Sequence, residues 1–424
     1  EEDGVQKKLS EKKLEWFKNQ EKELTGKGLR VLALAYKKEG GGIKNIEVED
    51  INDLILVGII ALSDPLRSDV KSTIKLAQGA GIKIVMITGD HKRTAQSIGK
   101  ELGIETTEDQ IMEGQDLEKM SDSEFKAVIN NTYIFARVDP KHKIRIVKAF
   151  QDNGEIVAMT GDGVNDAPAL KGADIGVALG SGTDVAKETS DMVLLDDHFN
   201  TIVSAVEEGR GIYQNIKKVV LYLLSGSFAE VILIAGSLIA GLPLAVSAVQ
   251  ILWVNLIEDS FPTMALAFDK GDRENMSDPP RKQGDSIIDR EMKIMIMIIS
   301  IVSNLVLFGL FLYFWKTTGD IALTRTIIFV GLGIDSLLYI YSVRTMRHMV
   351  WQMNPFNNKY LNLALLFGWL MLVGAIYLPP LQILLRTVPL TWEYWAVMLG
   401  FGLLNIFLIE IIKGIFLVRN KEHS

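Results

Sequence analysis

The chain has 424 residues, a net charge of −7 and no cysteine. An acidic balance without a basic stripe speaks against a general nucleic-acid binder, which must neutralise phosphates, and zero cysteines exclude disulfides, zinc fingers and thiolate catalysis. The overall 48% of hydrophobic residues averages two unlike parts, a soluble acidic one to about residue 215 and one of long apolar runs beyond it.

The chain opens Glu1-Glu2-Asp3, with neither an initiator Met nor a signal-like apolar stretch, and is read as a piece of something longer. A polar helical pattern over 7–24 is followed by the apolar strand-like run 30–36, and Gly40-Gly41-Gly42 marks a loop. From residue 54 strand and helix signals alternate. β-rich apolar runs fall at 54–62, 82–88, 133–138, 156–160, 175–179 and 192–195, with helix-period segments such as 94–102 and 142–150 between them. Such alternation predicts an α/β doubly wound parallel sheet, with ligands beyond the carboxyl ends of its strands.

The second half carries apolar stretches near 217–240, 244–268, 293–315, 323–343, 360–380 and 393–417. A helix needs about 20 residues to cross roughly 30 Å of hydrocarbon, so an all-α bundle of six transmembrane helices is expected. Lys217 and Lys218 precede the first span. Lys270, Arg273, Arg281, Lys282, Arg290 and Lys293 flank the connection between the second and third, Arg344, Arg347 and Lys359 that between the fourth and fifth, and Arg419 and Lys421 follow the last. The opposite connections offer only Lys316, Arg325 and Arg386. Positive residues favour the cytoplasm, which puts the soluble domain and both chain ends there.

Three strand-end segments carry chemistry. Thr160-Gly161-Asp162-Gly163-Val164-Asn165-Asp166 combines two carboxylates with small glycines, which suits a magnesium ion bridging a phosphate; Asp162 is the better ligand, with Asp166 and Asn165 in support. Thr88-Gly89-Asp90 precedes a helix whose N-terminus could hold phosphate oxygens. Asp139-Pro140-Lys141-His142-Lys143 opens another helix and supplies a lysine that could neutralise a transferred phosphoryl group. Singly, each also reads as an Asx turn, an N-cap or a solvated lysine. Their convergence at strand ends of one sheet favours chemistry.

In the membrane half, Asn255, Glu258 and Asp259 have i, i+3, i+4 spacing and share a helix face. Ser227 and Glu230 lie three apart in the preceding span, and Asp335 lies mid-span. Ionisable groups in a bilayer cost about 2.5–3.5 kcal/mol each on insertion scales, so they are candidates for function. Converging carboxylates and amide oxygens would form a hard-cation site; the bland alternative is interhelical hydrogen bonding.

Met86-Ile87-Thr88-Gly89-Asp90, Pro140-x-x-Lys143 and Thr160-Gly161-Asp162-Gly163-Val164-Asn165-Asp166-Ala167-Pro168-Ala169-Leu170 resemble the P-type ATPases of the haloacid-dehalogenase superfamily. Leu62-Ser63-Asp64-Pro65-Leu66-Arg67 resembles the family's hinge element. The resemblance implies a C-terminal remnant of a nucleotide-binding domain at 1–53, a haloacid-dehalogenase-like phosphorylation domain at 54–212 and a transmembrane domain at 213–424. It implies catalytic roles for Thr88, Gly89, Asp90, Lys143, Asn165 and Asp166, ATP contacts at Arg30, Thr88, Gly89, Asp90, Arg137 and Lys143, and magnesium at Asp162 and Asp166. The family's Asp-Lys-Thr-Gly-Thr motif, which bears the phosphorylated aspartate, does not occur in the 424 residues, so the missing N-terminal portion of the same pump is an expected partner.

Leu252-Trp253-Val254-Asn255-Leu256 with Pro262-x-x-Ala265-Leu266 resembles the ion-binding helix of type II pumps, calcium pumps above all. The resemblance implies transported-cation ligands at Ser227, Glu230, Asn255, Glu258, Asp259 and Asp335. Ser227 stands where calcium pumps typically have Asn, Glu258 where they have Thr, and Asp335 where Glu is usual. The expected function is therefore an ATP-driven cation pump of the plasma membrane with calcium as cargo. Alternatives are a pump for sodium, manganese or protons, and a non-catalytic membrane subunit derived from such a pump.

Overall fold

The structure is a computed structural model that describes residues 7–26, 29–37, 51–62, 66–270, 273–282 and 284–421. The Gly40-Gly41-Gly42 loop and Ser63-Asp64-Pro65 of the expected hinge lie outside the described residues. The chain forms two compact units, Glu1–Val206 with Met276–Gly284 and Glu207–Asn275 with Asp285–Ser424.

The first unit begins with α1 (Glu11–Gly26), β1 (Arg30–Tyr36) and β2 (Ile55–Leu62). The run at 54–62 was expected to join the parallel sheet. Instead β2 pairs antiparallel with β1, from Arg30 opposite Leu62 to Tyr36 opposite Ile55, with a bulge between Leu34 and Ala35. Its apolar composition signals a strand but carries no information about which strand it meets.

Next come α2 (Val70–Gly79), β3 (Met86–Ile87), α3 (Lys92–Leu102), β4 (Ile111–Glu113), α4 (Gly114–Lys119), α5 (Asp122–Val128), β5 (Ile134–Ala136) and α6 (Pro140–Asp152). They are followed by β6 (Ala158–Gly161), α7 (Ala167–Gly172), β7 (Ile175–Leu179), α8 (Asp184–Thr189) and β8 (Met192–Leu194). The α/β alternation yields two three-stranded parallel ladders, β3-β5-β4 and β6-β7-β8, rather than one sheet. β3 and β6 are edge strands: no strand lies hydrogen-bonded between them among the described residues. β4 has only three residues, too few to show a period.

Helix α6 joins the two ladders. Pro140 at its first turn needs no partner for the N–H it lacks, and Asp139 caps it in extended backbone. Ile146 and Phe150, one turn apart, pack with Phe125, Ile129 and Phe135 in the core of the first ladder. Val147, turned about 100° from Ile146, packs with Met159, Leu170 and Ala178 in that of the second. Ile87 and Val157 pack against both clusters, which makes the apolar interior continuous. Gly81, at φ +75°, ends α2 with a close approach: a Cβ there would lie 2.6 Å from Pro280 Cδ.

The second unit is helical, and its first helix, α9, begins eight residues earlier in the first unit. Among the described residues, α9 (Phe199–Ile239), α12 (Arg290–Thr318), α13 (Ile321–Arg344), α14 (Lys359–Tyr377) and α16 (Trp392–Lys421) are the five helices long and apolar enough to cross a membrane, and α15 (Pro379–Leu385) is a short connector. The stretch near 244–268, expected among the six spans, is an interrupted helix: α10 (Ala248–Trp253), a π-turn (Val254–Asp259) and α11 (Ser260–Ala267). A π-turn widens the backbone ring by one residue and often marks a functional site; here the Ser260 hydroxyl donates to the Asn255 carbonyl at 2.8 Å. The helix ends follow ordinary capping rules. Asp289, Asp320 and Asn358 accept N–H bonds at the starts of α12, α13 and α14, and Gly319 closes α12 in left-handed backbone.

Where β8 leads into α9, His198 Nδ1 lies 3.2 Å from Asp69 Oδ2 and Arg67 donates to the Asp197 carbonyl at 2.5 Å. The imidazole hydrogen-bonded to Asp69 holds its carboxyl below the usual range. A depressed native value means that the pair contributes stability above about pH 4 and loses it as pH falls through the native value. An NMR titration of the Asp69 carboxyl carbon should therefore have its midpoint below about 4, and His198→Ala should move it upward. An unmoved midpoint would remove His198 as the cause.

Candidate functional site

The first unit gathers its polar loops where β3, β5 and β6 end. β3 runs into Thr88-Gly89-Asp90, where Thr88 donates through its hydroxyl to Asp90 Oδ2 at 2.9 Å and accepts the Asp90 N–H at 3.1 Å. Gly89 and Asp90 are exposed ahead of α3. The backbone N–H of Arg137, at the end of β5, donates to the Asp90 carbonyl at 3.0 Å. Arg137 itself sits at φ +50°, in a region that residues other than glycine rarely adopt, and its guanidinium meets His91 Nε2 at 2.5 Å. β6 ends at Gly161, and Asp166 folds back over the loop. Asp166 Oδ2 accepts the N–H of Asp162 at 3.3 Å and of Gly163 at 3.2 Å, and its Oδ1 takes the ammonium of Lys143.

The two aspartates of this loop thus differ in availability. Asp166 is buried and both its oxygens are engaged within the protein. Asp162 and Asn165 are exposed at the mouth of the loop. An exposed carboxylate at a strand end fits a magnesium ion, which keeps several waters and takes one or two carboxylates; Asp166 fits the task of shaping the loop and placing Lys143. Arg30 is exposed on β1.

In the second unit the polar side chains converge from several helices on a cavity of about 40 Å³ whose wall includes Glu230, Asp259, Asp335, Ser225, Ser303 and Tyr222. Asp259 Oδ1 accepts the Tyr222 hydroxyl at 2.9 Å and the Ser336 hydroxyl. Asn255 Nδ2 donates to both oxygens of Glu230, at 2.9 and 3.2 Å. Asp335 accepts from Asn405 Nδ2, and Asn405 Oδ1 accepts from the Ser303 hydroxyl at 2.8 Å.

Of the expected ligands, Asn255 meets the cavity only through Glu230, and Ser227 and Glu258 lie elsewhere. Ser227 is exposed and is not part of the cavity wall. Glu258 is 0% exposed. Its carboxylate packs so close to Gly333 that a Cβ there would clash with it. Neither of its oxygens has a hydrogen-bond partner among the described residues.

Tyr222, Ser336 and Asn405 were not anticipated. Tyr222 lies eight positions before Glu230, on the same helical face as Gly226, so tracing the face backward from Glu230 would have found it. Asn405 is an amide inside an apolar span, which is itself a signal. Ser336 had none beyond its place beside Asp335.

A parallel α/β domain with strand-end Gly-Asp loops, together with a multi-pass helical domain holding buried carboxylates, defines a haloacid-dehalogenase-like membrane protein. Comparison with known families agrees. Residues 1–174 and 144–206 match haloacid dehalogenase-like hydrolase families, and residues 243–415 match the family of the cation-transporting ATPase C-terminus. A calcium-transporting ATPase of Bacillus subtilis is 40% identical over 94% of this chain and 44% of its own length. Calcium-transporting ATPase 1 of Lactococcus lactis is 37% identical over 99% and 48%, and the human calcium-transporting ATPase type 2C member 1 is 35% identical over 97% and 44%. The chain belongs to the P-type cation ATPases and is calcium-pump-like, and it spans less than half the length of these relatives.

Asn405→Leu removes the donor to Asp335 and the acceptor of Ser303 while keeping the volume. It should lower the stability of the membrane unit by about 1–3 kcal/mol, read as a lower melting temperature of the purified chain in detergent. An unchanged melt would mean that Asp335 does not depend on Asn405.

Proposed function

We propose that the chain is the phosphoryl-handling and cation-carrying portion of an ATP-driven pump, and that its cargo is calcium. The observation that carries this reading is the grouping of Glu230, Asp259 and Asp335 around one small cavity, with Asn255 on Glu230. Three carboxylates at membrane depth are costly unless something compensates them. A cavity of about 40 Å³ suits a cation rather than an organic solute, since organic ligands occupy pockets of about 300–1,000 Å³. Calcium takes six to eight oxygens in flexible geometry, which carboxylates, an amide and hydroxyls can supply, whereas magnesium sheds its water reluctantly. The names of the relatives point the same way. The interrupted run from α10 to α11 counts as a sixth span in this reading, and the positive connections set the first unit in the cytoplasm, with the plasma membrane as the site of action.

In the first unit Asp162 would hold magnesium, which offsets negative charge on a phosphate when bound. Lys143, held by Asp166, brings a second positive charge to the same strand ends. Thr88, Gly89 and Asp90 offer a hydroxyl and N–H groups to phosphate oxygens, and the exposed guanidinium groups of Arg137 and Arg30 are the candidates for the ATP phosphates. Asn165 supports the loop. The accepting aspartate comes from outside these 424 residues. The edges of β3 and β6, which have no strand partner on that side among the described residues, suggest its place: one parallel strand between them would join the two ladders and bring its carboxyl end between Thr88 and Asp162.

The test is phosphorylation by ATP of a full-length pump containing this chain, reconstituted in lipid. Asp259→Asn and Glu230→Gln should each abolish calcium-dependent phosphoenzyme while nucleotide binding persists. Normal phosphorylation in both would return the acids to a structural role, and a wild type that answers to sodium, manganese or protons alone would change the cargo. Asp162→Asn should reduce the phosphoenzyme by about 100-fold or more at any cation concentration, on the scale of removing one charge-stabilising group; near-normal labelling would take Asp162 out of the magnesium role and favour the non-catalytic alternative.

A further inference from the structure

Two residues beyond the end of α11 and ten after Asp259 in sequence, Asp269 sits in a second buried polar cluster. Arg344 Nε and Nη2 donate to its two oxygens at 2.9 and 3.2 Å. The side chains are 5% and 6% exposed. Asn358 Nδ2 donates to Asp269 Oδ1 at 3.1 Å and to the Ala265 carbonyl at 3.2 Å. Asn215 Nδ2 donates to the carbonyls of Ala267 and Asp269, at 3.3 and 2.6 Å, and the Lys218 ammonium stands 3.9 Å from the Asp269 carboxylate. The last carbonyls of α11, which helix geometry leaves without backbone partners, are thus taken by side chains of α9 and of the segment leading into α14.

Arg344 is the last residue of α13, the helix that also carries Asp335 and Ser336. The α10–α11 run and α13 are therefore tied twice, by Asp259 with Ser336 in the cavity wall and by Asp269 with Arg344 at their ends. The separations match: eight residues run from Asp259 to the end of α11 at Ala267 and eight from Ser336 to Arg344, about 12 Å of helix rise on each side. The π-turn, the element with the extra residue and hence the place where the helix can change register, ends at Asp259, and the regular helix α11 joins it to the lower tie. A bidentate arginine–carboxylate pair adds geometric specificity to its energy. With the lower end clamped, Asp259 is held facing Ser336 and Tyr222 and cannot slide past them.

We propose that Asp269 and Arg344 are positioning residues for the cation site: they set the register of the interrupted helix against α13 and thereby the affinity of the Asp259 cavity. The proposal rests on the reading of that cavity as the cation site. It predicts a change in cation affinity at a distance, with phosphoryl chemistry untouched.

The experiment uses Arg344→Lys, which keeps the charge and loses the fork, and Asp269→Asn, singly and together, in the reconstituted full-length pump. Each single variant should raise the calcium concentration for half-maximal phosphorylation about ten-fold, within the usual range of coupling between sites. Maximal phosphoenzyme at saturating calcium and the ATP dependence should stay at wild-type values. The double variant should be little worse than either single one, since both remove the same tie. Wild-type calcium dependence in Arg344→Lys, or fully additive losses, would overturn the proposal, as would a parallel loss of ATP binding.

A second measurement does not depend on the identity of the cargo. The chain has no cysteine, so spin labels on cysteines introduced at Leu252 and Met346 report the placement of the upper half of the interrupted helix against the end of α13. The distance distribution should be single and narrow in the parent and shifted or broadened in Arg344→Lys, even if calcium proves the wrong ion. An unchanged distribution would overturn the register role by itself.

Discussion

A charge buried at membrane depth has to be matched by a partner, and the second unit is organised around that requirement. Asp259 is matched by Tyr222 and Ser336, Glu230 by Asn255, Asp335 by Asn405, and Asp269 by Arg344 and Asn358. Lys413 obeys the same rule: it donates to Glu410 at 2.6 Å and to the carbonyls of Ser342 and Thr345 near the end of α13, and Glu410 in turn accepts the Val350 N–H at 2.9 Å. In most of these sets the partner comes from a different helix. Polar matching therefore supplies the specificity that apolar packing alone, tolerant of sliding, does not.

The first unit handles charge differently because water reaches it. Its loops satisfy their own backbone and leave one carboxylate free. Asp166 commits its oxygens to two N–H groups and to Lys143, and this holds Asp162 at the exposed mouth. Gly161 is required by the same arrangement, since a Cβ there would press on the Asp166 carboxylate. The loop is built to be rigid behind and open in front. That arrangement suits a site whose ligand brings its own charge and water.

Local features were the legible ones. Each strand-end loop could be read because a Gly-Asp cluster comes directly after an apolar run, and those signals lie within about ten residues of one another. The five long helices and their acidic residues could be read because apolar length and ionisable exceptions are both visible in one dimension. Pairing was not legible. The residues of β2 do not say that β1 is their neighbour, and the parallel sheet divides because nothing in the described chain fills the place between β3 and β6. Nor does composition announce a π-turn: Val254 to Asp259 are residues an α-helix would accept. Because the extra residue turns the helix, spacing alone misjudged which acids face one another.

Glu258 bears the consequence of that turn. On a regular helix Glu258 and Asp259 would both flank the face of Asn255. In the structure Asp259 reaches the cavity wall while Glu258 is sealed against Gly333, without a hydrogen bond among the described residues. A buried acid in that setting lacks the compensation that every other buried acid of the cluster has, and the close fit to a glycine leaves no room for a bulkier neighbour to supply it. Its neighbour Asp259 has two hydroxyl donors from two helices. The asymmetry argues that the π-turn sorts two adjacent carboxylates into different environments, one held ready at the cavity and one withdrawn from it. Since a change of helix register would turn both at once, their placement depends on the contacts that fix that register, the hydroxyls on Asp259 in the cavity wall and the Asp269–Arg344 pair beyond the end of α11.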